Sequence, residues 1–429
     1  MRHSRLSEPL RWVNGESSLP ARQSPGSTLR RCFLSGSSPP FIWKVLMKRF
    51  DVAIVGAGPA GSSAAIFLAR KGYSVALLDK YLFPRDKLCG DFLNPVNWEI
   101  FAKLGIEDEL LAAEHEKVSS FRISTPTAEL CVPLTSSNGR HAFGLGLCRR
   151  QLDDLLLKRA KKGGVSVRQE FRINSLRRED GGWSLSGGEN ANGETVRSRL
   201  LISADGRNSW VAHRLALAGP AERSGKYVAF QLHLRGCRGI DGEVQIHLFL
   251  GGYAGLVRLG GGMANLCFTV EKSKTKESPA VDLLREKYLY GNPHLKRALE
   301  ASEIVGEARS VYPLYFSPRR CYGDGFLLAG DAVRVTEPVT GEGVYLALKS
   351  GELAAEASDS ALRKRNFSAR QLSAYDSACR SAFGRRQRIN RLIRAAVYRP
   401  YLLTPLLNLS KRSAFPVGAL VRLVCEPSA

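Results

Sequence analysis

The chain has 429 residues, is 44% hydrophobic and carries a formal net charge of +23, which is enough apolar content for two or three packed units rather than one. Its nine cysteines are an odd number without a C-x-x-C pair, so a disulfide framework is excluded and reduced thiols in the cytoplasm are expected. The basic excess comes without zinc-finger spacing or an RNA-binding aromatic motif, so nucleic acid is not an expected partner, and no run of roughly 18 apolar residues predicts a membrane-spanning helix.

Residues 1–46 are rich in Arg, Ser and Pro and nearly free of acids. The composition fits either an organelle transit peptide or a disordered or untranslated stretch upstream of a start at Met47. The second reading is preferred. Asp51 to Val55 then reads as a short apolar strand, Gly56 to Gly61 as a tight glycine turn, and Ser62 to Lys71 as a helix closed by Gly72. Tyr73 to Leu78 is a second apolar strand ending on Asp79, and parallel strands joined by a helix make a βαβ unit.

The turn spells Gly56-x-Gly58-x-x-Gly61. Gly56 permits the tight turn, Gly58 clears space for a pyrophosphate against the backbone, and Gly61 lets helix and strand pack closely. The helix N-terminus points free N–H groups at the phosphates, and Asp79 stands where a carboxylate accepts ribose hydroxyls. With a strand before it, a helix after it and the acid at this distance, the motif predicts a dinucleotide site.

Gln151 to Lys162 reads as a further helix, stopped by Gly163-Gly164 and followed by the strand Val165 to Arg168. Ala204-Asp205-Gly206 follows the apolar run Leu200 to Ile202, and Gly330-Asp331-Ala332 follows Phe326 to Ala329. Both place an acid and a glycine just beyond a buried strand, either a ligand contact or a helix cap. Between them, alternation such as Val228-Phe230-Leu232-Leu234 and Val244-Ile246-Leu248 predicts antiparallel strands of a separate sheet. Pro338, Gly341 and Gly343 form a glycine-rich loop whose backbone can approach a planar ring, with a helix from Val344 offering its positive end. His233 and His247 alternate within strand patterns and read as structural or surface residues, with no metal-ligand spacing.

Taken together and in this order, these motifs closely resemble the flavoprotein group of para-hydroxybenzoate hydroxylase and the geranylgeranyl reductases, from about Lys48 to about Ala355. The resemblance implies non-covalent FAD, with Asp331 on the ribityl chain, Arg149 contacting the cofactor ahead of Leu152-Asp153, and Asp205-Gly206 near the dinucleotide. The segment Phe83 to Asp91 looks like the Pro-x-x-Lys-x-Cys-Gly loop of the geranylgeranyl reductases, which borders the reactive face of the flavin. Cys89 is thus a candidate catalytic residue. Beside Lys87 and Arg85 its thiol is expected to have a lowered pKa and to act as a proton donor or a thiolate, the alternative being a small buried filler. Tyr253 corresponds to the Tyr of the reductases' Tyr-x-Trp-x-Phe-Pro segment and is the second catalytic candidate. The Trp and the Phe-Pro are absent, as is the Trp-x-Trp-x-Ile-Pro motif of the related halogenases.

The expected fold is α/β: a Rossmann-type FAD-binding domain with a parallel sheet (47–120, 140–214 and 305–360), an antiparallel-sheet substrate domain (121–139 and 215–304) and a basic helical C-terminal region (361–429). The expected activity is FAD-dependent oxidoreduction of a lipophilic isoprenoid or polyketide-like unsaturated substrate. The alternative is a monooxygenase that hydroxylates a phenolic or quinone-type substrate. No second glycine fingerprint marks NAD(P)H, which remains a candidate electron donor through transient binding. In the tail, Ile389, Leu392, Ile393 and Val397 are spaced for one apolar helix face among many arginines. Such a helix either lies in the headgroups of an anionic membrane or packs on the FAD domain.

Overall fold

The computed structural model describes residues 49–134, 141–188, 194–219, 222, 225–277, 281–410 and 415–425. The N-terminal stretch 1–46 lies outside the described residues.

Strand Arg49–Val55 lies inside a parallel array. Val75–Leu78 and Glu194–Ser203 flank it, and Ser166–Arg168 and Phe326–Leu328 extend the array outward. Val52, Ala53 and Ile54 are all fully buried, because helices and a hairpin leave neither face to solvent; hence the run is continuously apolar rather than alternating. The hairpin Ile173–Glu179 and Gly182–Gly187, which pairs antiparallel to Glu194–Ser203, was not expected from the sequence.

The helix expected from Ser62 begins at Pro59 and runs Pro59–Arg70. Proline suits the first helical turn, whose N–H groups have no partner within the helix. Gly56 has φ +98°, and a Cβ there would lie 2.4 Å from the Ala204 carbonyl oxygen. A Cβ on Gly61 would lie 1.8 Å from the Gly56 oxygen, so the glycines bring helix and strands into backbone contact. The same helix packs on Gly343–Arg363, where Gly351 leaves no room for a side chain against Ala60 and the Ser63 hydroxyl donates to the Leu348 carbonyl at 2.8 Å.

The second sheet runs Glu303–Val311, Tyr227–Arg235, Met263–Glu271, Gly252–Gly260, Glu243–Phe249, Ser120–Thr125, Ala128–Pro133. All pairs are antiparallel except Glu243–Phe249 with Ser120–Thr125. Phe230, Leu232, Leu234, Leu266 and Phe268 form its core with helix residues Leu295 and Leu299. Glu303–Val311 is an edge strand of this sheet rather than part of the parallel domain. Its largely exposed pattern carries no alternation by which to place it. A small third sheet, in which Phe92–Leu93 and Glu116–Val118 both pair with Gly144–Gly146, ties the Cys89 loop to the start of helix Arg149–Lys162.

Three helices close the chain: Ala369–Val397, Pro400–Ser410 and Phe415–Cys425. The first packs on Gly343–Arg363, and the other two lie against strand Ala128–Pro133. The apolar face expected over Ile389, Leu392, Ile393 and Val397 does not form as a unit. Val397 is buried, but Leu392 is 73% exposed. The buried stripe instead runs through Leu372, Tyr375, Phe383, Arg386, Asn390 and Val397, because the polar ends of Arg386 and Asn390 find a buried carboxylate, Glu342. No helix among the described residues is long and apolar enough to cross a membrane.

Candidate active site

Between the two large sheets lies a cavity of about 1060 Å³, at the upper end of the roughly 300–1,000 Å³ of small-molecule sites. Gly56, Gly58, Asp79, Cys89, Arg149, Asp205, Gly206, Tyr253, Asp331, Pro338, Gly341 and Gly343 all line it. Two expected site residues stand behind the wall. Gly61 is covered by Gly56, and Gly330, at φ +62°, would press a Cβ to 2.9 Å from the Ala60 methyl. Their role is close packing of the turns that face the cavity.

Around the glycine turn, Asp79 Oδ2 accepts from the Ala57 N–H at 2.8 Å and Oδ1 from the Tyr81 N–H at 3.0 Å. The carboxylate thereby fixes the turn and keeps lone pairs for a ligand. Arg85, read from the sequence only as a neighbour of Cys89, extends over this turn. Its guanidinium lies 3.9 Å from Asp79 and 3.3 Å from Asp153, and it stands 3.8 Å from where a Gly58 Cβ would be. Arg149 is buried and pairs with Asp153 through Nε at 3.0 Å and Nη2 at 2.8 Å. The Asp205 carboxylate is occupied locally, accepting from the Ser203 hydroxyl at 2.6 Å and the Val211 N–H at 3.2 Å. It therefore holds the first turn of the following short helix, which Ser209 caps, and the residue lines the cavity.

The Cys89 thiol differs from expectation. Burial pushes its pKa up, and the nearby Arg149 guanidinium only partly opposes this. Burial likewise lowers the Lys87 ammonium, with the Asp331 charge opposing. Desolvation outweighs the cations, so the group is a thiol rather than a thiolate at neutral pH. Beside it, Asp91 is buried with φ +53°. It accepts from the Arg149 N–H at 3.1 Å and the Gln231 amide at 3.1 Å, and lies 3.2 Å from His233 Nε2. His233 is thus a hydrogen-bond partner of Asp91, the structural rather than the surface alternative. Cys148 adds a third potential ligand atom within 4.8 Å of both.

At the far end of the cavity a network forms that sequence reading missed. Glu337, 1% exposed, accepts from the Tyr253 hydroxyl at 2.7 Å, the Tyr315 hydroxyl at 2.6 Å and Arg394 Nε at 3.0 Å. Tyr315 and Tyr398 hydroxyls lie 2.9 Å apart, and the Arg394 guanidinium covers the Tyr315 ring at 3.8 Å. Tyr253 comes from the antiparallel sheet, Glu337 from the glycine-rich loop, and Arg394 and Tyr398 from the C-terminal helix region. The only available signal was Glu337 next to Pro338 in a loop already marked by its glycines.

The residues present fit FAD. A Cβ on Gly343 would meet nothing within 4 Å, and one on Gly58 only Arg85, so both glycines open on cavity space. Among the described residues the buried Nε of Arg85 has no hydrogen-bond partner, as expected of a cation placed for an anionic ligand.

Residues 49–236 match the FAD binding domain family. The menaquinone reductase of Mycobacterium tuberculosis is 32% identical over 327 residues, covering 72% of this chain and 76% of that protein. Digeranylgeranylglycerophospholipid reductase 2 of Methanopyrus kandleri is 29% identical over 358 residues, covering 78% and 83%. Among solved structures, the flavin-dependent brominase Bmp2 superposes with a TM-score of 0.72 at 22% identity, over 88% of this chain and 94% of the other. The last likeness is one of fold.

Proposed function

The chain belongs to the geranylgeranyl reductase family of FAD-dependent oxidoreductases, and from that premise we propose that it saturates a carbon–carbon double bond in a lipophilic, isoprenoid or polyketide-like substrate. The observation that carries the reading is the composition of the cavity beyond the cofactor cradle. Val244, Ile246, Leu256, Val257, Phe268 and Leu314 line it, a wall that favours an apolar chain by removing it from water. Reductase-named relatives across most of the chain support the same class. Where the family's segment carries Trp and Phe, this chain has Gly255 and Val257. The smaller residues widen the chamber and favour a bulkier substrate than the family motif admits.

FAD, when bound, supplies the hydride for such a reduction. Arg85 and the glycine turn would hold its pyrophosphate, Asp331 its ribityl hydroxyls, and the Pro338–Gly343 loop would take its ring. The apolar wall excludes water, and Cys89, kept protonated by burial, stands ready to donate a proton. NAD(P)H is the proposed source of electrons by transient docking. The proposed location is the surface of an anionic membrane, from which a lipophilic substrate would enter.

The test is anaerobic turnover of the reduced, purified enzyme with isoprenoid quinones and polyprenyl lipids, followed by mass spectrometry. A gain of two hydrogens per substrate supports the reading. Unchanged substrate anaerobically, with oxygen incorporated on aeration, would replace it with the hydroxylase alternative.

A further inference from the structure

A phenol has one proton to give, and Tyr253 gives it to Glu337 Oε1 at 2.7 Å. Glu337 also receives the Tyr315 proton at 2.6 Å and the Arg394 N–H at 3.0 Å. A carboxylate that collects three donors acts as acceptor only. Burial, reinforced by the Glu337 charge, holds the Tyr253 phenol well above its usual range, so it keeps that proton at neutral pH. What remains on the Tyr253 oxygen is lone-pair capacity, and Tyr253 lines the cavity together with apolar Ile246, Phe268 and Val339. A ligand carbonyl or ether placed here would set lone pair against lone pair. A ligand hydroxyl would donate, in surroundings where an unmade hydrogen bond is expensive.

We infer that Tyr253, its proton held by Glu337, is a recognition site for a hydroxyl group on an otherwise apolar ligand, and that Tyr315 and Arg394 are positioning residues that keep Glu337 aimed at it. The ligand class is an amphiphile with a phenolic or alcoholic hydroxyl at one end of an apolar body. The inference rests on the reductase reading only for that apolar body. It also gives the C-terminal helix a task at the site, since Arg394 on that helix donates to Glu337 Oε2.

Equilibrium dialysis of full-length, FAD-loaded, oxidised protein against 4-hexylphenol and 4-hexylanisole tests this without turnover. The two probes differ by the hydroxyl proton, and the wild type should bind the phenol at least about tenfold more tightly, as one net hydrogen bond allows. Tyr253→Phe should bind both equally. Glu337→Gln should shift preference toward the anisole, because the amide can donate to Tyr253 and turn the phenol proton into the cavity. FAD content and melting temperature report whether each variant is folded; if Glu337→Gln is not, Tyr253→Phe decides. Equal affinities in the wild type, binding of neither probe, or a preference that survives Tyr253→Phe would each overturn the inference. The reductase reading fails separately, when isoprenoid mass does not change.

Discussion

Arg386 and Glu342 form an ion pair across the glycine-rich loop and the C-terminal helix, with each side chain only 2% exposed. Asn390 adds a hydrogen bond to Glu342 Oε2 at 3.1 Å, and Arg386 Nη1 also reaches the Val424 carbonyl at 3.0 Å. Two acidic residues, Glu337 and Glu342, thus flank the turn Pro338–Thr340, and each is held by an arginine from one helix, Arg394 and Arg386. The basic tail, expected either at a membrane surface or packed on the FAD domain, is therefore the clamp on the glycine-rich loop that lines the cavity.

Removing one partner of a buried pair strands the other charge, at a cost of about 3–5 kcal/mol. Arg386→Met is expected to lose stability on that scale in urea unfolding. Arg386→Met with Glu342→Gln should recover part of it, because no uncompensated charge is left. Equal stability of Arg386→Met and wild type would mean that Glu342 is solvated.

FAD affinity should depend on Asp331 and Arg85. Each hydrogen bond to a charged group contributes about 1.5–3 kcal/mol, so Asp331→Ala is expected to weaken FAD by about tenfold to a hundredfold in fluorescence titration of apoprotein. Arg85→Ala should weaken FAD similarly while leaving riboflavin binding unchanged, since riboflavin has no pyrophosphate. Loss of both affinities in Arg85→Ala would instead indicate a collapsed cavity.

The parts of the site that could be read from the sequence are those set by local backbone. Gly56, Gly58 and Gly61 impose a turn that few other residues tolerate, and Asp79 follows at the end of the next strand. Arg85 was in view but its direction was not, because a loop side chain's reach depends on Asp79 and Asp153 closing around it. Glu337, Tyr253, Tyr315 and Arg394 meet only through tertiary packing, and no spacing links them. The inward stripe of the C-terminal helix is hidden in the sequence for the same reason: Arg386 and Asn390 look like solvent-facing residues until Glu342 is placed beneath them.

His247 should make folding sensitive to mild acid. It is buried, with Nδ1 2.7 Å from the Ser124 hydroxyl and Nε2 3.0 Å from Gln245 Oε1, an arrangement suited to the neutral ring. Burial pushes its pKa down to about 3, against about 6.5 in the unfolded chain. Between these values the unfolded state takes up the proton first. The stabilisation is therefore complete above about pH 6.5 and declines as pH falls toward 3, by up to about 1.4 kcal/mol per pH unit. Denaturant unfolding from pH 7 to 4 should show this slope, and His247→Gln should flatten it.

Cys89, held protonated by burial, is expected to resist iodoacetamide at pH 7 and to react only in alkali, unlike a thiolate lowered by Lys87 and Arg85. If it donates the proton during substrate reduction, Cys89→Ser should slow turnover by on the order of a hundredfold and leave FAD content unchanged. Rapid alkylation at neutral pH would contradict the effect of burial, and unaltered turnover would leave the thiol as packing.

The proposed membrane association should depend on helix Pro400–Ser410 rather than on the longer helix before it. Leu402, Leu406 and Leu409 follow helical spacing and are 51%, 36% and 60% exposed, whereas Leu407 is 1% exposed and packs inward. Tyr401 and Leu392 extend the apolar surface, at 64% and 73% exposed, and Arg388, Arg391 and Arg399 are exposed nearby in the chain. An exposed apolar helix face too short to span, with arginines beside it, lies along a bilayer surface rather than through it, and each arginine near an anionic leaflet adds about 1 kcal/mol. Flotation with anionic vesicles should carry the protein upward, less so at high salt, where the electrostatic contribution is screened. Leu402→Ser with Leu409→Ser should abolish flotation without changing FAD content, because both side chains point away from the fold. Flotation that survives this double substitution would move the contact elsewhere, and none at low salt with anionic vesicles would leave these leucines as an ordinary exposed surface.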